Sequence, residues 1–281
     1  MYNYLMYRFT AAHAAGAWEG KDEEEWGIKK MLYNQLDYWY GIEWDTTVSN
    51  PSCTRIGKAD LHKSLPIQSL MRRCVLKDDG TVNYYLNAND STLRDTGVSA
   101  KLDGTDGQFM VELPEMYVRF EMSGTKCRAM MSQLPLPGFT MWPKCYVSAV
   151  EATIDRINNK LAAVVNATAQ YRGANNSSAF DSSFKTQLGR PATASSLTSF
   201  RSLARARGSL DTYNWNMYTY NIHKRIAWLF AVEYATFNSQ ADYNAALDGN
   251  GYHQGGLGKG TTTLDEDEWQ DLNYSCPFCP C

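Results

Sequence analysis

The sequence predicts an α+β fold in two parts, and three stretches carry that expectation. Residues 108–132, QFMVELPEMYVRFEMSGTKCRAMMS, alternate apolar and polar side chains as a half-buried antiparallel sheet does. Residues 213–240 form the clearest long apolar segment. Ile222, Ile226, Leu229, Phe230, Glu233 and Phe237 recur there at helical spacings, with Trp228, Val232 and Ala235 on the opposite side. A helix apolar nearly all round is expected to be the buried spine of a core. Lys224, Arg225 and Glu233 interrupt it, and it is too short to span a bilayer. Between these stretches the Pro-rich LPLPGF at 134–139 makes a rigid corner. We place there the boundary between a β-rich subdomain, 38–138, and a second domain, 139–281.

Composition narrows the function. A chain of 281 residues is long enough for one large domain or two small ones, and two is the default reading. A net charge of −3 gives no electrostatic reason to expect a nucleic-acid partner. The 18 Tyr and eight Trp are many for this length, and such side chains serve both cores and recognition surfaces. The first twenty residues carry no basic segment followed by an apolar run and a small-residue cleavage site, so synthesis and folding in a cytoplasm are expected. The matches to Asn-x-Ser/Thr at Asn89, Asn166, Asn175 and Asn176 then mean little. Cys53, Cys74, Cys127 and Cys145 are scattered singly and read as small apolar fillers; the other three of seven Cys crowd the last six residues.

In chain order, residues 1–37 read as an N-terminal arm or helix with weak periodicity at Ile28, Leu32 and Leu36, and the acidic run Asp22–Glu25 as a solvated face. Strands follow at YWYGIEWDTTV and, after the Asp79-Gly80 turn, at VNYYL. Met116, Val118, Phe120 and Met122 face one way, and Ser123-Gly124 turns the chain back through Cys127–Met131. Lys144–Thr153 reads as a strand, Asn158–Asn166 as an element too short to assign, and 166–183 as a long polar loop. Ser195 or Ser196 can cap a helix carrying Leu197, Phe200, Leu203 and Ala204 and ending at Gly208. The long helix stops at Asn238-Ser239, a short helix covers Gln240–Leu247, and Asp248-Gly249-Asn250-Gly251 is a turn.

Catalytic motifs are weak. GGLGKGTTT has the wrong spacing for a phosphate loop, because Lys259 precedes Gly260 and His253 stands where the first glycine belongs. Cys276 and Cys279 form a Cys-x-x-Cys, yet no second pair completes a four-ligand zinc site. His13, His62, His223 and His253 stand apart, and Asp60, His62 and Ser64 read as a hydrogen-bonded loop rather than a triad. Glu233 is expected to be buried and satisfied by backbone amides or an Arg. Arg201, Arg205 and Arg207 read as a solvated helix face.

Eight blocks in order carry a resemblance: WYGIEWDTT (39–47), CTRIGKADLHKSLPIQSLMRRC (53–74), GQFMVELPEMYVRFE (107–121), LPGFTMWPKCYVSAVEAT (136–153), YRGANNSSAFD (171–181), LGRPATASSLTSFRSLAR (188–205), WLFAVEYATFNSQ (228–240) and GYHQGGLGKGTT (251–262). They resemble phage tail-fibre or receptor-binding proteins of gut bacteria, of the kind diversified by diversity-generating retroelements. The resemblance implies a C-type-lectin-like fold in 139–281, related to formylglycine-generating enzymes, with a variable C-terminal surface. It implies that the ligand-binding residues are Trp269, Gln270, Asn273, Tyr274, Ser275, Cys276, Phe278 and Cys279, with Trp269, Pro277 and Pro280 as a fixed frame. Relatives continue with further Gly- and Trp-containing strands, so either the lectin-like domain is truncated at Cys281 or its fold closes differently.

The implied function is non-covalent recognition of a bacterial surface protein or glycan from a virion tail, after synthesis in a bacterial cytoplasm. Other virion subunits, or a homotrimer that multiplies affinity, are the implied partners. No enzyme activity, cofactor, metal or membrane insertion is expected. Two alternatives remain: a structural virion component, or an oxidoreductase of the formylglycine-generating type. Cys276 and Cys279 do not map onto that enzyme's cysteine pair.

Overall fold

In a computed structural model of the chain, residues 6–9, 23–26, 38–173, 188–192, 195–208 and 214–258 are described. The alternating stretches make the first sheet. Strands β3 (Tyr40–Asp45), β4 (Thr54–Gly57), β8 (Met116–Ser123), β9 (Lys126–Ser132) and β10 (Thr140–Trp142) pair antiparallel in the order β10-β8-β9-β3-β4. Val118 lies opposite Met131 and Tyr40, Phe120 opposite Ala129 and Ile42, and Met122 opposite Cys127 and Trp44. Residues directly opposed share a face, so these side chains form one apolar surface. The other face is charged. Arg128 meets Glu43 at 2.7 Å and Glu121 at 3.9 Å, and Lys126 meets Asp45 at 3.2 Å, each across a pair of strands. Gly41 is required mid-strand, since a Cβ there would lie 2.8 Å from the Met130 Cα.

A second antiparallel sheet, β11-β7-β5-β6, comprises β5 (Arg72–Leu76), β6 (Val82–Tyr85), β7 (Gln108–Leu113) and β11 (Cys145–Ser148). The chain crosses between the sheets three times, through residues 58–71 after β4, at Pro114-Glu115 and at Pro143-Lys144. The corner at 134–139 is a tight turn that returns Thr140–Trp142 to pair with Met116–Val118. Both sheets therefore draw strands from either side of residue 138, because hydrogen-bond pairing, not the Pro-rich composition of the corner, decides where the chain goes next. A small ribbon of β12 (Thr153–Asp155) and β13 (Lys160–Ala162) follows. In the N-terminal arm, β1 (Met6–Phe9) pairs antiparallel with β2 (Glu23–Trp26), and the helical periodicity at 28–36 lies outside the described residues.

Three α-helices and a 3-10 turn at Gln68–Leu70 complete the described part: α1 (Ala59–Ser64), α2 (Leu197–Arg205) and α3 (Tyr220–Tyr234). Ser196 caps α2, its side chain accepting from the Ser199 amide. Helix α3 buries Leu229, Ala231 and Val232 against Tyr40, Ile42, Met116, Val118 and Met131. Its other side is open, with Asn221, His223 and Ala227 exposed, so the helix is buried along one stripe and not all round. Leu113, Val111 and Val147 of the second sheet join the same core. The helix stops at Ala235, in the left-handed conformation at φ 52°, three residues before Asn238.

The short helix expected over Gln240–Leu247 is absent. There the chain is extended, with β14 (Tyr243–Asn244) paired to β15 (Gln254–Gly255). The glycines explain it: a Cβ on Gly256 would lie 2.7 Å from the Ala241 carbonyl oxygen, and one on Gly258 2.5 Å from that of Gln240. Only a side-chain-free strand can dock this closely, and docking holds its partner extended.

Candidate binding face

Helix α3 covers only one half of the apolar face of the first sheet. The other half ends in Trp44, Phe120 and Met122, where β3 and β8 run beyond the helix's cover. Trp228 reaches over this end from α3, its ring 5.1 Å from Phe120 and 5.5 Å from Trp44. Phe237, just past the helix, stands edge-on to Trp44 at 5.2 Å, and Trp142 lies 6.2 Å from Phe120. Five aromatic rings thus make one continuous cluster with T-shaped and tilted contacts, the geometries aromatic quadrupoles favour.

The cluster is not sealed. Phe120 is 45%, Phe237 42% and Met122 69% exposed. Lys224 holds its ammonium 5.1 Å over the Trp142 ring, and a cavity of ≈ 330 Å³ opens beside Phe120, Thr140 and Trp142. Apolar side chains left partly in water along one end of a sheet, Phe120, Met122 and Met141 among them, are the mark of an interaction surface. Chemically the face can stack, exclude water and present one cation.

Burial disfavours the thiolate at three cysteines near these elements. Burial pushes the Cys53 thiol up to about 11 and the Cys74 thiol up to about 12. Cys145 is also raised by burial, although the Arg225 guanidinium 3.2 Å away opposes the shift.

A second polar constellation fastens the glycine-rich segment. His253 Nδ1 lies 2.7 Å from Glu233 Oε1, and Arg55 donates to the carbonyls of both Glu233 and His253 at 2.9 and 3.0 Å. The Arg55 guanidinium lies 4.5 Å over Tyr252, whose ring meets buried His62 edge-on. Glu233 is therefore held by a histidine, where sequence reasoning expected backbone amides or an Arg. Removal from water raises its pKa, and the His253 hydrogen bond opposes that. The pair holds one segment onto another.

Asp60, His62 and Ser64 lie on α1 and not in a loop. Ser64 bonds back to the Asp60 carbonyl while His62 turns inward to the Ile56 carbonyl. Arg207, expected in solvent, is 8% exposed and ties the Leu161 carbonyl to Asp78. Trp269, Gln270, Asn273, Tyr274, Ser275, Cys276, Phe278 and Cys279 all lie outside the described residues. The aromatic face was missed in the sequence. Its one signal was the alternation in β8, whose apolar set continues through Phe120 and Met122 past the helix's cover.

Comparisons of the chain with protein-family models, with curated proteins and with solved structures returned no match.

Proposed function

We propose that this chain is a recognition protein of a phage tail, binding a protein or glycan on a bacterial surface without covalent chemistry. The observation that supports it most is the five-ring cluster of Trp44, Phe120, Trp142, Trp228 and Phe237, half-buried at its Trp residues and exposed at Phe120 and Phe237. Aromatic side chains supply large contact area at low entropic cost, which suits a surface evolved to bind. The ordered sequence blocks support the phage assignment and, within it, a C-type-lectin-like second half. The residues of 269–279 would extend the binding surface. The proposal has no cofactor or nucleic acid, and other virion subunits or a homotrimer as assembly partners. No helix among the described residues is long and apolar enough to cross a membrane.

Labelled full-length protein applied to a panel of gut-bacterial strains, read by flow cytometry, tests this. Binding should occur on some strains, and Phe120→Ser with Phe237→Ser should weaken it at least about tenfold, or about 1.4 kcal/mol. Protease or periodate treatment of the cells separates a protein from a glycan receptor. Binding to no strain, or binding indifferent to the double substitution and to changes at 269–279, would sink the proposal. The second reading is a structural virion component, favoured by the same exposed rings, which a neighbouring subunit would also cover. In that case the rings would be shielded in assembled particles and cells would not be bound.

A further inference from the structure

A second concavity lies away from the aromatic face. A cleft of ≈ 330 Å³ opens between the turn after β5, the 104–107 loop and the β12–β13 ribbon. It is polar and electrically balanced, with Lys77, Lys160 and Arg207 against Asp78, Asp106 and Asp155. Most of that charge is already spent. Asp78 accepts from Arg207 at 2.7 Å and Lys160 at 3.3 Å, and Asp106 is held by Tyr84 and Arg94. Asp155 takes the amides of Ile157 and Asn158 and the side chains of Asn158 and Gln170.

Two lining side chains are buried yet have polar atoms to spare. Gln108 is 3% exposed; its Oε1 accepts from the Ala163 amide, and its Nε2 makes no hydrogen bond among the described residues. Tyr171 is 9% exposed, and its hydroxyl likewise has no partner among them. The residue facing that hydroxyl is Gly104, where a Cβ would lie 2.8 Å away, so the missing side chain keeps the hydroxyl uncovered. Both atoms open into the cleft from otherwise buried side chains, and two unspent groups fixed in place on one cleft wall point to a ligand that pairs with them. Asn158 Oδ1 at the rim adds an unspent acceptor.

From this arrangement we infer that the cleft binds a single neutral sugar ring through its hydroxyls. A phosphate or other strong anion lacks a counter-charge, because Lys160 and Arg207 are committed to Asp78 and only exposed Lys77 remains. The three carboxylates form no group that could hold a metal ion. Vicinal hydroxyls each donate and accept. They match unspent donors beside unspent acceptors, and each would replace a cleft water without stranding a group. This site is separate from the aromatic face and stands or falls without it.

The test is saturation-transfer NMR of the full chain with the methyl glycosides of glucose, galactose, mannose and N-acetylglucosamine, and with galacturonate and inorganic phosphate as charged probes. At least one neutral glycoside should be saturated at about 10 mM, with dissociation in the millimolar range. Tyr171→Phe should weaken that binding at least about tenfold while leaving the melting temperature unchanged, because the hydroxyl it removes has no protein partner. Lys77→Ala, at the exposed rim, should weaken it less. Silence across the neutral panel, saturation of the charged probes alone, or undiminished binding by both variants would overturn the inference. Cell adhesion without glycoside saturation would overturn it too while sparing the recognition proposal. Saturation without adhesion would do the reverse.

Discussion

Arg225 is 4% exposed on α3, and its guanidinium donates to the carbonyls of Pro114, Trp142 and Pro143. Those carbonyls lie at two of the three places where the chain leaves one sheet for the other, at Pro114 after β7 and at Trp142-Pro143 where β10 ends. A planar fork with several fixed donors can serve three carbonyls at once; a lysine cannot. Arg225→Met should therefore cost about 3 kcal/mol or more in denaturant unfolding, and Arg225→Lys should recover little of it. Glu233 makes the opposite kind of demand. Burial raises its folded pKa above the unfolded value, so the folded state holds the proton more tightly. Its contribution to stability is fully present below the ordinary carboxylate range and is lost as pH rises through the raised value. Melting temperatures taken from about pH 4 to about pH 8 should fall more steeply for the wild type than for Glu233→Gln. Equal slopes would show that the His253 contact cancels the burial.

Helix α3 is ended by backbone geometry at an alanine. Ala235 sits in the left-handed region, where a Cβ is crowded and glycine is not. Ala235→Gly should raise stability by about 0.5–1 kcal/mol, the relief of crowding exceeding the entropy glycine adds to the unfolded chain. No gain in the denaturation midpoint would mean that Ala235 packing matters more. The turns use a repeated device. Asp45, Asp79 and Asp90 each accept from both the amide and the hydroxyl of a Thr two residues on, and Asp103 accepts from the Thr105 amide. Bonds from the Thr47 amide and hydroxyl hold the Asp45 carboxyl down at about 2. These Asp-x-Thr turns are readable in the sequence because donor and acceptor are two residues apart. The cross-strand ladder of Glu43, Arg128 and Glu121 is not, because its register depends on how β3, β9 and β8 align. Being half-exposed, the ladder is expected to contribute little: Arg128→Ala should cost under about 1 kcal/mol.

At the scale of the molecule, two sheets and α3 share one core through Tyr40, Leu113, Val118 and Leu229. Each sheet takes one edge strand, β10 or β11, from after residue 138 and the rest from before it. Circular dichroism and tryptophan fluorescence should report one coincident unfolding transition for residues 38–258, as elements sharing a core do. A fragment ending at residue 138 should not fold, since it lacks β10, β11 and the helix that covers the first sheet. A folded fragment would show that the first sheet is stable without its cover.

Local chemistry by itself determined the α+β class, the β8–β9 hairpin at Ser123-Gly124, the Ser196 cap, the Asp-x-Thr turns and the position of the long helix. Each rests on residues within a few positions of one another, where periodicity and short hydrogen bonds act before distant parts meet. Tertiary structure alone decided the rest. It set which stripe of α3 is buried, why Arg225 can be inside, and that Glu233 meets a histidine twenty residues on. It also decided that Trp44, Phe120, Trp142, Trp228 and Phe237 converge where the helix leaves the sheet uncovered, and that Gln108 and Tyr171 line one cleft. Those outcomes depend on strand register and on the length of one element against another, quantities set by packing between segments far apart in the chain.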